Sequence, residues 1–220
     1  MPPGASRSRL NSIPHRVRAL SRHTPHHLIL TIRQGVPRLH RRAAREIFAV
    51  VIDSTRKRYP CVSFTTGCLM PDHIHLLGQT TGAPSSISRA IQFLAANLAR
   101  KINRAFGLSG AVFRERYFSR VLKTASEVLQ VLRYIGLNPV RAGYVKRPEQ
   151  WPANGIRPYL GGYLERSPWS FTGWVYGVLG FFKDPAGAMR RILEGRQKPV
   201  RSSGGRQLRL PFTKGLPHRP

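Results

Sequence analysis

An α+β fold, one antiparallel sheet with helices packed on one face, is predicted by three observations. Short runs of β-formers alternate with longer stretches of helical apolar spacing. Two of those runs are separated only by a tight Met70-Pro71-Asp72 turn, which reads as a hairpin. The longest helical stretch ends just before a further strand-like segment.

The elements follow in order. His26 to Arg33 (HHLILTIR) is compact, apolar and rich in β-formers, so a strand is expected. From Arg38 to Lys57, Leu39, Ala43, Ile47, Val50, Val51 and Ser54 recur at helical spacing. Cys61 to Met70 and His73 to Gln79 (HIHLLGQ) are the two hairpin strands. Ser85 to Phe106 is strongly amphipathic, with Ile87, Ile91, Leu94, Ala95, Leu98 and Ile102 on one face. Tyr117 to Lys123 is a fourth strand. Thr124-Ala-Ser-Glu127 has the form of a capping box, and the helix it opens is expected to stop at Asn138, before Pro139. The order β-α-β-β-α-β followed by a helix is the split pattern of a ferredoxin-like sheet.

Four regions are expected. Residues 1–25 form a basic disordered arm and 26–145 the main domain. Residues 146–195 form a packed C-terminal extension with Trp151, Trp169, Phe171 and Trp174 and a short helix around Pro185 to Glu194. Residues 196–220 form a basic flexible tail. Neither terminal segment contains an acidic residue.

Charge narrows the function. The chain of 220 residues carries 37 Lys and Arg against 9 Asp and Glu, a net charge of +28. A field of that sign concentrates polyanions, and nucleic acid is the expected partner. Asp53, Asp72 and Asp184 are the only aspartates. A nuclease built on several clustered carboxylates is therefore disfavoured. Cys61 and Cys68, the only cysteines, do not make a disulfide scaffold. There is no apolar signal segment at the start and no run long enough to span a bilayer, so a cytoplasmic, nucleoid-associated protein is expected.

His73-Ile74-His75 lies on a predicted strand. Residues i and i+2 share a face, so both imidazoles point one way and Ile74 points into the core. Two histidines on a rigid strand make half of a metal site. Tyr134 and Asn138, four apart, stack on one face of the last helix, and the Asn138 amide oxygen is a hard donor. Two imidazoles and one such oxygen, with open positions, suit Mg²⁺ or Mn²⁺ shared with a phosphate. A different use of the same region would be Zn²⁺ held by Cys68, His73 and His75.

The segments MPDHIHLLG (70–78), YIGLNPVRAGYV (134–145) and VFRERYFSRVL (112–122) resemble the single-tyrosine HUH transposases, and more narrowly the REP-associated tyrosine transposases. The resemblance covers about residues 26–145. It implies a ferredoxin-like domain in which His73, His75 and Asn138 bind Mg²⁺ or Mn²⁺. It further implies that Tyr134 attacks a single-stranded DNA phosphate, leaving a 5′-phosphotyrosine that a free 3′-hydroxyl can reverse. Whether the strand is hairpin-forming stays open at this point, as do monomer and homodimer. A phenol is a poor nucleophile at neutral pH, and a cation on the scissile phosphate offsets that. The sequence departs from the family where its Trp-Pro-x-Ser-Ser segment is replaced by Trp151-Pro152-Ala153-Asn154-Gly155.

Tyr117 is the rival nucleophile, but Val121 stands where a ligand would be expected four positions on. Tyr117 reads instead as a base-stacking residue among basic neighbours. Arg33, Arg114, Arg116, Arg120 and Arg141 are the expected phosphate contacts. His26 and His27 are expected to be structural. The other function class is a domesticated, non-catalytic nucleic-acid-binding protein. Finally, Gln207-Leu208-Arg209-Leu210-Pro211-Phe212 resembles the short peptides that bind replication sliding clamps; the other reading is an apolar cluster packing back on the Trp151–Trp174 region.

Overall fold

The computed structural model describes residues 20–161 and 184–196. The basic arm up to residue 19, Trp169, Phe171, Trp174 and the Gln207–Phe212 peptide lie outside the described residues.

The chain runs β1 (His26–Thr31), α1 (Arg42–Arg58), β2 (Val62–Leu69), β3 (His73–Thr80), α2 (Ser85–Phe106), β4 (Phe118–Val121) and α3 (Ala125–Arg141). A short 3₁₀ turn (Pro148–Gln150), α4 (Arg157–Gly161) and a C-terminal helix, here α5 (Pro185–Leu193), follow. The four strands form one sheet in the order β2-β3-β1-β4, and every pairing is antiparallel. This is the ferredoxin-like arrangement expected from the element order.

Alternation along the strands divides the sheet into two faces. Leu28, Leu30, Ile74, Leu76, Val62 and Phe64 pack under α1 and α2 in one core. Cys68 and Leu77 face the other way, into a second core with Val128, Leu132 and Ile135 of α3 and Met189 and Ile192 of α5. Only α1 and α2 therefore share a face. The last helix of the domain, α3, crosses the opposite one, which is the face that carries His73 and His75.

Three local expectations are corrected. β1 ends at Thr31 rather than Arg33, and beyond it only Ile32 makes a bridge, to Phe113. The buried stripe of α1 is Ala44, Phe48, Val51, Ile52 and Thr55. Val51, and Leu39 ahead of the helix, are buried as expected, but the rest of the stripe is one position on from the expected Ala43, Ile47, Val50 and Ser54, because the Val50-Val51-Ile52 run leaves the helical phase ambiguous. Pro139 does not stop α3; it lies inside the helix, which continues to Arg141. Proline forfeits one backbone bond and restricts its predecessor. Only two helical residues follow it, and the end is closed by Ala142 N–H to the Asn138 carbonyl at 2.9 Å and Tyr144 N–H to the Pro139 carbonyl at 3.0 Å. Asn138 is thus fully helical, one turn after Tyr134.

The start of α3 is fixed as expected. The Thr124 hydroxyl accepts from Glu127 N–H at 3.2 Å, and the Glu127 carboxylate accepts from Thr124 N–H at 3.1 Å and Lys123 N–H at 2.6 Å. Arg120 of β4 donates to the same carboxylate at 2.8 Å, so β4 and α3 are tied at their junction.

The Trp151–Gly155 segment covers the outer edge of β2. Leu69 N–H donates to the Ala153 carbonyl at 3.1 Å, and Gly155 N–H to the Gly67 carbonyl at 2.7 Å. Trp151 Nε1–H donates to the Leu69 carbonyl at 3.0 Å. The Asn154 amide, buried, donates to the Gly136 carbonyl of α3 at 2.9 Å. An edge strand with free N–H and C=O groups invites pairing with another chain, and this segment removes the invitation. A Cβ on Gly155 would stand 2.6 Å from the Gly67 carbonyl oxygen, a backbone atom that cannot swing away. Gly155→Ala is expected to lower unfolding free energy by about 1–3 kcal/mol in urea denaturation.

Candidate functional site

The register of the sheet assembles the site. His75 of β3 lies opposite Cys68 of β2 and Ile29 of β1, and His73 lies opposite Thr31. All five point away from α1 and α2. His27, two positions from Ile29 on the same face, reaches its ring to His75: His27 Nε2 and His75 Nδ1 are 3.0 Å apart. His73 Nε2 and His75 Nε2 are also 3.0 Å apart, and His73 Nδ1 is 2.7 Å from the Asp72 carboxylate.

These contacts constrain the tautomers. A carboxylate only accepts, so His73 Nδ1 carries the proton it donates to Asp72. In neutral His73 the bare lone pair is then on Nε2, facing His75. If His75 Nδ1–H donates to His27, then His75 Nε2 is bare too, and two lone pairs converge on one point. That arrangement is repulsive unless a cation sits between them. A carboxylate behind one imidazole and an acceptor behind the other is also the outer shell usual for metal-bound histidine. The spacing fits: adjacent octahedral donors at ~2.1 Å from an ion stand ~3.0 Å apart.

The rings of His27 and His75 are neutral. Burial, and then the neighbouring positive Arg120, push the His27 pKa down to about 4. Burial, and then the unfavourable placing of a positive charge next to His73 and His27, push His75 down to about 3. Both imidazoles are therefore uncharged at neutral pH, so His27 can accept from His75 and His75 can present a bare Nε2.

α3 brings the second half. Tyr134 is 41% exposed, its ring centroid 5.3 Å from that of His75 and 6.0 Å from that of His27, edge-on to both. The Arg141 guanidinium lies 5.8 Å from the centre of the Tyr134 ring. Asn138, one turn on, is half-buried, and its Nδ2 is buried with no hydrogen-bond partner. A half-turn about χ2 exchanges the amide oxygen and nitrogen. An unpartnered amide one turn on from the tyrosine that meets His75 fits a third, oxygen donor. The residues present could thus hold a divalent cation through His73, His75 and Asn138.

Cys68 fits no such role. Its thiol is buried among apolar residues, 3.8 Å from the Met70 sulfur, and burial pushes its pKa far up. A protonated thiol is a poor ligand. Among the described residues, no group of three or more His, Cys, Asp and Glu is arranged to hold a metal, which removes the Cys68–His73–His75 zinc reading.

The expected DNA contacts divide. Arg120 sits on the histidine face, opposite His27 in the sheet. Arg141 is beside Tyr134. Arg33 and Arg114 line one cavity next to Asp72. Arg116 is exposed in the loop before β4. Tyr117 is corrected: it is 9% exposed, packs in the α1–α2 core, and its hydroxyl lies 2.5 Å from that of Ser88. It can neither stack on a base nor act as the nucleophile. By strand alternation its neighbour Phe118 takes the open face, 56% exposed, in one cross-strand row with Ile29 and His75. His27, expected to be structural, and Phe118, not singled out in the sequence, are the additions; both are placed by the pairing of β1 with β3 and β4.

Comparison with known proteins supplies the family. The sequence profile of the IS200-like transposases matches residues 21–138, more than half of the chain. A Haemophilus influenzae protein named as a REP-associated tyrosine transposase is 26% identical over 114 residues. That alignment spans 48% of this chain and 64% of the relative's own length. Among solved structures, a REP-associated tyrosine transposase bound to a REP hairpin superimposes with a TM-score of 0.57 at 16% identity, covering 71% of this chain and 90% of that one. The likeness of fold and the match across the domain that bears His73, His75 and Tyr134 place this chain in the IS200-like transposase family.

Proposed function

We propose that this transposase cleaves and rejoins single-stranded DNA through a covalent bond to Tyr134, with Mg²⁺ or Mn²⁺ held by His73, His75 and Asn138. The observation that carries the reading is the position of Tyr134. It is the exposed phenol standing over the His27–His75 pair, with Arg141 at its ring. The bound cation would supply Lewis-acid polarisation of the scissile phosphate.

The chain's own residues do the rest. The Tyr134 oxygen attacks phosphorus, the bond to the 3′ oxygen breaks, and the strand 5′ of the cut leaves with a 3′-hydroxyl. The phenolic proton passes to solvent, and the leaving oxygen takes one up. Arg141 and Arg120 place positive charge beside the phosphodiester and the departing oxyanion. Rejoining is the same displacement reversed, so no nucleotide cofactor is consumed.

The partner class is single-stranded, hairpin-forming DNA. The net charge of +28 supports it, as does the fold's likeness to a transposase bound to a REP hairpin. Phe118 offers the stacking surface that single-strand binders place among basic residues. Phe118→Ser is expected to weaken binding of a labelled single-stranded oligonucleotide about 5- to 100-fold while the melting temperature stays unchanged.

The test of the function is covalent trapping. Short single-stranded oligonucleotides, some able to form hairpins, are incubated with the protein and Mn²⁺. An adduct that survives boiling in detergent, and maps to Tyr134 by mass spectrometry, is expected. Binding with no adduct on any strand would instead indicate a non-catalytic DNA-binding protein. Among the described residues, no helix is long and apolar enough to cross a membrane.

A further inference from the structure

Tyr144 is exposed for no reason internal to the fold. It is 46% accessible, yet it is held in place by two other rings. Its centroid is 5.2 Å from that of Trp151 and 6.4 Å from that of His40, with planes inclined by 31° and 26°. His40 and Trp151 are themselves 5.2 Å apart. Trp151 is buried and anchored by its bond to the Leu69 carbonyl. His40 is neutral at physiological pH, since burial and the nearby Arg38, Arg41 and Arg45 lower its pKa. A rigid, uncharged stack thus presents one ring to solvent.

That ring forms one wall of a cavity of about 520 Å³. Ligand pockets commonly enclose ~300–1,000 Å³. The other walls include Arg33, Gln34, Arg38, Asp72 and Arg114. All three arginines are exposed; Arg114 also pairs with Glu115 at 2.9 Å. The one carboxylate in the lining, Asp72, is engaged by His73. The cavity therefore joins an aromatic face, several guanidinium groups and a side-chain amide. It directly adjoins the histidine pair, because Thr31 in its wall is the cross-strand partner of His73.

We propose that this cavity binds one unpaired nucleotide of the DNA strand, its base stacked on Tyr144 and its flanking phosphates held by Arg33, Arg38 and Arg114. Gln34 supplies a donor and an acceptor for the base edge. The inference rests on the single-stranded DNA reading above and adds to it a nucleotide subsite outside the catalytic centre. Stacking needs a π face but no hydroxyl, and phosphate contacts need charge but no base.

The test compares two 15-residue strands, oligothymidylate and a fully abasic strand of the same length, by fluorescence anisotropy. For Tyr144→Ala we expect a loss of roughly 5- to 100-fold on oligothymidylate, and little or no loss on the abasic strand. Tyr144→Phe should bind both strands like the wild type. Arg38→Ala should weaken both strands alike and reduce the salt dependence by about 0.7 in log–log slope. Equal losses on both strands for Tyr144→Ala would mean that the residue acts through the fold, and would overturn the proposal. So would wild-type affinity of Tyr144→Ala for oligothymidylate. Either result, with the Tyr134 adduct still forming, overturns the subsite alone. If the wild type bound neither strand and formed no adduct, the DNA-cleavage reading would fall with it.

Discussion

Tyr134→Phe is expected to abolish the DNA adduct completely while leaving strand affinity within a few-fold of the wild type. The substitution deletes one oxygen from a side chain that is 41% exposed, so no cavity forms and no buried partner is orphaned. The edge-on contacts with His27 and His75 and the Arg141 contact belong to the ring, which phenylalanine retains. Binding persists because it comes from phosphates and stacked bases, with a log–log salt slope of about −0.7 per phosphate neutralised on a single strand. The control is Tyr117→Phe. Its hydroxyl is paired with Ser88 inside the domain. Losing that bond is expected to cost about 0.5–1.5 kcal/mol of stability and to leave the adduct unchanged. The adduct is read on a denaturing gel with labelled DNA. Adduct on Tyr134→Phe but not on Tyr117→Phe would reverse the assignment of the nucleophile.

The contrast between those two tyrosines shows what a sequence can and cannot carry. The His73-Ile74-His75 alternation was legible because Ile74 has to be inside, which fixes the phase of an eight-residue strand. The apolar stripe of α2 and the Thr124–Glu127 capping box were legible for the same reason: one period, or one reciprocal pair of bonds, admits a single solution. β4 has only four residues and begins beside two adjacent aromatics, so nothing local says which of Tyr117 and Phe118 turns inward. The phase is set by pairing with β1, ninety residues earlier in the chain. The His27–His75 contact is hidden likewise, since it depends on the register between β1 and β3. Pro139 misleads in another way. A rule that holds for helix interiors fails near a C-terminus, where a single backbone bond is at stake. Trp151–Gly155 looked like a damaged family motif. Its role as the cover of β2 follows from backbone bonds that composition does not encode.

The second large effect is expected at the histidines. His73→Ala and His75→Ala should each eliminate divalent-cation binding and DNA cleavage, with strand affinity kept within a few-fold. Mn²⁺ binding followed by electron paramagnetic resonance reads the first directly, without turnover. His73 is half-buried and can be truncated safely, whereas His75 is buried and bonded to two imidazoles, so its variant should also melt earlier. His27 separates coordination from packing. If it orients His75 by accepting the Nδ1 proton, His27→Phe removes the acceptor but keeps a ring of similar bulk. Loss of such outer-shell partners typically lowers metal affinity about 10- to 100-fold. His27→Gln retains an acceptor oxygen and should recover most of that loss. Mn²⁺ affinity that is the same in all three His27 forms would show that His75 needs no partner to present Nε2. Cleavage at full rate in excess chelator would remove the cation from the reaction altogether. The 3.0 Å approach of His73 to His75 would then have to be a proton-sharing contact, with His27 donating to His75 and His75 donating to His73. The two arrangements differ in the direction of the His27–His75 bond and in whether a proton or a cation lies between His73 and His75, and the chelator experiment decides between them.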